Sequence, residues 1–369
     1  MRIETVELRR LRLPLVRAFE TSFGRTDTRE FLLVRVAGEG LAGGGECVAE
    51  QDPFYSAETT ATAWGVLRDH LVPALLSGPV AHPRDVWTRL SHVRGHRMAK
   101  AGLEMAAWDL FARQQGVPLA RLLGGTRDEI ASGVSIGIQP SLDALATRVD
   151  EAVSAGYQRV KIKVKPGWDL AAVTAVRRRF GQVPLMVDAN AAYGLEDAEH
   201  LAGLDQFGLI MIEQPLEYDD IRDHAALQRR LATAICLDES IHSVRLGRDA
   251  IDAGACRIIN IKPGRVGGHA ESIRLHDLCA SRGVPVWHGG MLESGIGRAH
   301  NLHLSSLPNF TLPGDVAASR RYYEPDLIDP PIVVAADGTI GVPDGPGIGV
   351  HVVSDRVEQA TIRRLEMRK

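Results

Sequence analysis

The sequence predicts an α/β fold in which a smaller α+β domain precedes a parallel β/α barrel. Three observations carry the prediction. Five ionisable residues, Lys163, Asp188, Glu213, Asp238 and Lys262, recur at gaps of 25, 25, 25 and 24 residues, the span of one strand and one crossover helix. Each closes a short apolar run, as in Pro184-Leu185-Met186-Val187-Asp188 and Leu209-Ile210-Met211-Ile212-Glu213. The chain of 369 residues has room for a barrel of about 250 residues and a further domain of about 100.

Side chains alternate faces along a strand. Ile162, Val187, Ile212, Leu237 and Ile261 therefore point to the covering helices, and the charge after each points into the barrel mouth. Lys161 shares the face of Lys163. Barrel enzymes build their sites at this end, on the C-terminal tips of the strands.

Residues 1 to about 125 lack the 25-residue rhythm. Alternating segments at 2–12, 31–37 and 45–50, with turns expected at Gly38-Glu39-Gly40 and Gly43-Gly44-Gly45, read as a small antiparallel sheet. Helical patterns follow around 57–76, 84–93 and 98–115. The rhythm starts near Ser132–Ile138 and runs past Lys262 to Val284–His288 and Phe310–Asp315, giving eight strands. Stretches 169–180, 195–206, 243–253 and 269–282 suit crossover helices. Beyond about 325 the chain is rich in Pro and Gly, with strand-like patches at 331–335 and 348–353. A closed barrel has no edge to extend, so this segment is expected to return to the first domain, dividing the chain into 1–125, 126–325 and 326–369.

A formal net charge of −3 argues against nucleic acid, which needs a concentrated positive surface. Cys47, Cys236, Cys256 and Cys279 form no C-x-x-C pair, so a reduced, cytoplasmic setting is expected and neither a zinc ribbon nor a disulfide framework is. Charge interrupts the apolar residues of the first ten positions, unlike a signal peptide, and no run approaches the roughly 18 apolar residues of a membrane span.

Asp188, Glu213 and Asp238 offer hard oxygen donors without thiolate or imidazole, a set suited to Mg²⁺ or Mn²⁺ rather than zinc. Barrel-mouth acids that merely pair with Lys or Arg are the structural alternative. Lys163 and Lys262 lie four strands apart and would face each other across such an ion, one on each side of a bound carboxylate substrate. That arrangement suits removing the proton next to a carboxylate and returning one to either face. A free lysine titrates near about 10.4 and a base working at neutral pH near about 7–8, a gap of roughly 4 kcal/mol. The Lys161 charge and a dication would both act to close it. A Schiff-base lysine is the other use of a barrel amine, but imine chemistry needs no acid triad.

These residues resemble the enolase superfamily, in particular its muconate lactonizing enzyme-like subgroup with a Lys-x-Lys base at Lys161-Ile162-Lys163. The resemblance spans essentially the whole chain and implies a modified (β/α)7β TIM-like barrel, with an α+β capping domain completed by the C-terminal segment. It also implies Lys163 and Lys262 as bases and Mg²⁺ on Asp188, Glu213 and Asp238; a Lys base acting with Mg²⁺ is a known pattern of that superfamily. The strings Lys161–Asp169, Ile212–Leu216, Asn260–Gly268 and Gly289–Gly297 are similar to the N-succinylamino acid racemase/o-succinylbenzoate synthase branch. Arg265 resembles the arginine of its racemase side and tilts the expectation toward racemisation of N-acylamino acids. His288 replaces an expected cysteine; a packed histidine and an altered acyl pocket both remain open. Ser135 and the backbone of Gly289-Gly290-Met291 match substrate-pocket positions, and Phe19 to Arg25, with Phe19 and Phe23, matches the specificity loop. Asn190 is expected to bond substrate or metal water, or to cap the next helix. Dipeptide epimerase and muconate-type cycloisomerase are alternatives on the same scaffold; epimerases usually carry Asp-x-Asp near the last strand, where Pro313-Gly314-Asp315 has one acid. A non-catalytic metal-binding barrel is the alternative of another class. Family analogy implies a homo-oligomer acting on a small carboxylate.

Overall fold

The computed structural model describes all 369 residues. Near its start, strands β1 (Thr5–Glu20), β2 (Arg25–Gly38) and β3 (Leu41–Cys47) form an antiparallel sheet. One face, with Val6, Leu8, Val34 and Val36, packs on helices of segment 60–115 and builds a core of its own. The Gly38-Glu39-Gly40 turn lies between β2 and β3 as expected. The second glycine cluster does not turn, because Gly43 and Gly45 sit inside β3. A Cβ on Gly43 would lie 2.2 Å from Leu110 N, and one on Gly45 2.2 Å from Gly102 O. These glycines let helix Arg97–Gln115 lie against the strand backbone.

Strand β4 (Glu129–Ala131) leads into the barrel. Its strands are β5 (Gly133–Ile136), β6 (Arg159–Lys163), β7 (Leu185–Asp188), β8 (Ile212–Glu213), β9 (Ile235–Leu237), β10 (Ile258–Ile261) and β11 (Val286–His288), all parallel and in sequence order. Ile162, Val187, Ile212, Leu237 and Ile261 join the large core under the helices, whereas Met186, Met211, Cys236, Ile258 and Trp287 fill the barrel interior. This is the expected alternation of faces.

The expected eighth strand is only partly regular. Phe310 bridges Val286 and Gly314 bridges Ser132, both in parallel sense, so 310–315 closes the ring by isolated bridges. Pro313 lacks an N–H to give, which breaks the ladder there. Helices Asp169–Phe180, Val244–Ala253 and His269–Ser281 lie where the pattern put them, while 195–206 breaks into a 3-10 turn, a short helix and a second 3-10 turn. The chain then pairs β12 (Thr339–Gly341) with β4 and adds β13 (Thr361–Arg368) beside β1, with Thr5 opposite Arg368. The capping sheet therefore has the order β13-β1-β2-β3. Neither expected patch, 331–335 nor 348–353, forms a regular strand; the sheet takes the later Thr361–Arg368 instead. No helix is long and apolar enough to cross a membrane.

Candidate active site

Strand register assembles the charged ring. Lys163 lies opposite Asp188, and Asp188 opposite Glu213. Glu213 pairs with Cys236, so Asp238 projects from the same face one pleat further along. Asn260 and Lys262 continue the inward face of β10. All are buried: Asp188 is 1% exposed, Glu213 and Asp238 0%, Lys161 3%, Lys163 7% and Lys262 5%. Ions so far from water must be satisfied by one another.

They are. Lys163 Nζ lies 2.6 Å from Asp188 Oδ2 and 2.6 Å from Asn190 Oδ1. Lys262 Nζ lies 2.6 Å from Asp238 Oδ2 and donates to Tyr55 Oη at 3.1 Å. Lys161 Nζ reaches Asp188, Glu213 and Asp315 at 3.1, 2.8 and 2.6 Å. Asn260 Nδ2 donates to Glu213 Oε1 at 2.6 Å, and Asn190 Nδ2 to Glu239 Oε1 at 2.9 Å. Arg265 grips Asp238 and donates to the Ile241 and Asn260 carbonyls. It holds Asp238 without lining the cavity.

Burial opposes the charge on Lys262, but Asp238, Tyr55 and Glu213 outweigh it and hold the ammonium above the ordinary lysine range. Lys161 is raised likewise, burial being overcome by Asp315, Glu213 and Asp188. The protein charges alone thus act opposite to the depression expected for a neutral-pH base, because the nearest neighbours of these amines are acids. Glu213 is pushed well up by burial and then by Asp188 and Asp238. Burial also opposes ionisation of Asp188, where Lys163 and Lys161 prevail and pull it down.

Above the ring lies a cavity of about 60 Å³ lined by Lys161, Lys163, Lys262, Asn190, Ser135, Gly290 and Met291 among others. Phe19 and Phe23 roof it together with Glu50 and Tyr55. Phe19 is the penultimate residue of β1, which ends at Glu20 and leaves Thr21–Gly24 as the connection to β2. Asn190, Ala191, Gln214 and Leu292 hold φ of 44°, 61°, 36° and 58°, a run of left-handed non-glycine residues at the strand tips, where strain marks functional sites. Asn190 N donates to Asp188 Oδ1 at 3.0 Å, and its side chain bridges Lys163 to Glu239 instead of capping a helix.

Sequence reasoning missed Tyr55, Glu239 and Asn260. Asn260 was accessible, since it shares the inward alternation of Lys262. Gly289 provides clearance: a Cβ there would lie 2.3 Å from Asn260 Oδ1 and 2.6 Å from Lys262 Cε. His288 faces the helix layer, not the acyl pocket. Its ring centroid is 5.9 Å from that of Phe310, and burial pushes it down to about 3. Asp315 is spent on Arg159 and Lys161; burial opposes its charge, yet these cations bring it to about 2.

Residues 3–124 match the family model of the mandelate racemase/muconate lactonizing enzyme N-terminal domain, and residues 144–356 that of the enolase C-terminal domain-like family. The chain is 55% identical over 360 residues to an o-succinylbenzoate synthase of Geobacillus kaustophilus, covering 97% of this chain and 96% of that one. It is 49% identical over 362 residues to an N-succinylamino acid racemase of Thermus thermophilus, covering 98% of each. A solved enolase-superfamily structure from Listeria innocua superposes with a TM-score of 0.96 at 39% identity, covering 100% of this chain and 99% of that one.

Proposed function

The chain belongs to the mandelate racemase/muconate lactonizing enzyme family of the enolase superfamily, and from that premise we propose that it abstracts the proton α to a carboxylate, as an N-succinylamino acid racemase, an o-succinylbenzoate synthase, or both. Members of this superfamily hold a divalent ion, generally Mg²⁺. Asp188, Glu213 and Asp238 fit one. They are buried oxygen donors at the tips of three successive strands, and Glu213 is penalised by the other two acids, a crowding that a hard cation would relieve. These three would hold Mg²⁺, with Mn²⁺ as a substitute. When bound, the ion supplies positive charge against the substrate carboxylate as the α-proton leaves.

The observation that carries the proposal is that Lys163 and Lys262 open into one cavity, with the three acids on the successive strands that separate them. In racemisation one amine takes the α-proton and the opposite ammonium delivers another, so configuration inverts. Asn190 and Asp188 aim Lys163, while Asp238 and Tyr55 aim Lys262. In the synthase reaction Lys163 takes the proton and returns it to the departing hydroxide, which leaves as water, and Lys262 stays a cation. Ser135 Oγ is buried without a partner and is available to an acyl oxygen. The unit 126–325 carries the chemistry, and 1–125 with 326–369 supplies the roof that excludes water. An epimerase that needs a free acid for an α-ammonium is disfavoured, because Asp315 is already engaged by two cations.

Exchange of the α-proton in deuterated water tests this, with N-succinylamino acids and the synthase precursor side by side, in Mg²⁺ and in chelator. Metal-dependent exchange lost in Lys163→Ala and Lys262→Ala is the expected result. Absence of exchange with every substrate, or exchange indifferent to both lysines, would refute the proposal.

A further inference from the structure

Glu50 lines the same cavity in apolar company. It follows Val48 and Ala49, which are 3% and 0% exposed and belong to one cluster with Tyr55 and Met291, with Phe23 packed against it. The lining adds Phe19, Leu292 and Tyr322 on the other side. Every other ionised lining residue is paired: Lys163 with Asp188, Lys262 with Asp238, and Lys161 and Asp315 with each other. The half-buried carboxylate of Glu50 has no such partner within the protein. A substrate that closes the roof removes water from this group, which is costly unless the substrate brings a cation.

We propose that Glu50 makes this enzyme select N-acylamino acids whose side chain ends in a cation, a primary ammonium or a guanidinium. The inference rests on the proton-abstraction reading above. The α-carboxylate of the substrate belongs beside the lysines. A succinyl group carries a second carboxylate, which Glu50 would repel, so the acyl chain takes the side of Ser135, Phe19 and Tyr322. There Phe19 and Tyr322 pack edge to face at 6.5 Å, and Arg321 donates to the Ser135 carbonyl at 2.9 Å. The amino-acid side chain is left the Phe23, Tyr55 and Met291 side. A long methylene stem lies well against such residues with its charged head at Glu50. Electrostatic matching of this kind acts chiefly on selection between substrates.

Metal-loaded enzyme is tested for α-proton exchange on N-succinyl-L-lysine and N-succinyl-L-arginine, with N-succinyl-L-norleucine and N-succinyl-L-citrulline as their uncharged counterparts. A kcat/KM ratio of about tenfold or more in favour of each cation is expected, the factor that one well-placed charge contact of about 1.4 kcal/mol gives. In Glu50→Gln that ratio falls to about one, Glu50→Asp keeps part of it, and Glu50→Lys turns the preference toward N-succinyl-L-glutamate. Exchange of the neutral substrates at rates equal to or above those of the cations, or a ratio unchanged in Glu50→Gln, overturns the assignment of Glu50 and leaves the reaction standing. Absence of exchange with all four overturns both.

Discussion

Replacing Gly289 by alanine perturbs one of the two proposed bases with a single methyl group. The added Cβ would stand 2.3 Å from Asn260 Oδ1 and 2.6 Å from Lys262 Cε. Comfortable separations are about 3.3 Å for carbon to oxygen and about 3.6 Å for carbon to carbon, so each neighbour must retreat by roughly 1 Å. Asn260 is tied to Glu213 at 2.6 Å and resists, so the strain falls on Asn260 and on the Lys262 stem together. Overpacking of this size costs about 1–3 kcal/mol of stability, and a reacting group misplaced by about 1 Å loses about 100-fold in rate. Exchange of each enantiomer in deuterated water, followed by NMR, separates the two faces. Exchange of the enantiomer whose α-hydrogen faces Lys262 should fall about 100-fold, and that facing Lys163 only a few-fold. Wild-type rates for both enantiomers, or an equal loss in both, would show that Gly289 does not set the position of Lys262.

Magnesium at about 100 times its Kd should stabilise the protein by about 2.7 kcal/mol; a melting temperature indifferent to Mg²⁺ and to chelator, or a full Mg²⁺ response in Asp188→Asn, would contradict the acid set as ligands. Gly43→Ala puts a Cβ 2.2 Å from Leu110 N and should cost about 2 kcal/mol or more, read by denaturant unfolding; a cost near zero would mean the helix can back away from β3. Burial pushes the Glu46 carboxyl up to about 8, with Glu293 adding to it and the Ser294 hydroxyl opposing. The folded state then binds this proton where the unfolded chain has released it, so Glu46 costs stability as pH rises between about 4.5 and about 8. Glu46→Gln should leave the melting temperature at pH 5 nearly unchanged and raise it at pH 8.5; parallel pH curves for the two proteins would discount this residue.

The parallel barrel was legible because its two signals, the 25-residue period and the alternation within each run, are local and reinforce each other. The eighth run shows their limit, since Phe310–Asp315 has the apolar content of a strand but Pro313 cannot join the ladder. The glycines of β3 are a different case. Gly-Gly-Gly reads equally as a turn or as a place of close approach, and only the arrival of helix Arg97–Gln115, more than 50 residues later in sequence, decides it. Strand β13 was invisible for a similar reason: Thr361–Arg368 is mostly exposed, so it carries little apolar pattern and owes its conformation to the edge of β1.

In the candidate site, what could be read followed from strand geometry, and what could not came from elsewhere in the chain. Lys161, Lys163, Asp188, Glu213, Asp238 and Lys262 are neighbours because adjacent strands put them at similar heights. Tyr55 and Glu50 reach the same cavity from the capping domain, and no period relates residue 55 to residue 262. His288 is the informative case, since of its two readings the structure takes the packed histidine. Each earlier run ends on an inward side chain, which invites the same reading of Val284-Pro285-Val286-Trp287-His288. Yet Ile261 pairs with His288, so the residue level with Lys262 is Gly289. The inward positions are therefore Trp287, whose indole forms the floor 4.9 Å beneath Lys161, and Gly289, which has no side chain to obstruct the lysine. A charge at the end of an apolar run predicts a site residue only where its register places it on the inner face, and here register turns the imidazole to the helices while reserving the inner face for the space that Lys262 occupies.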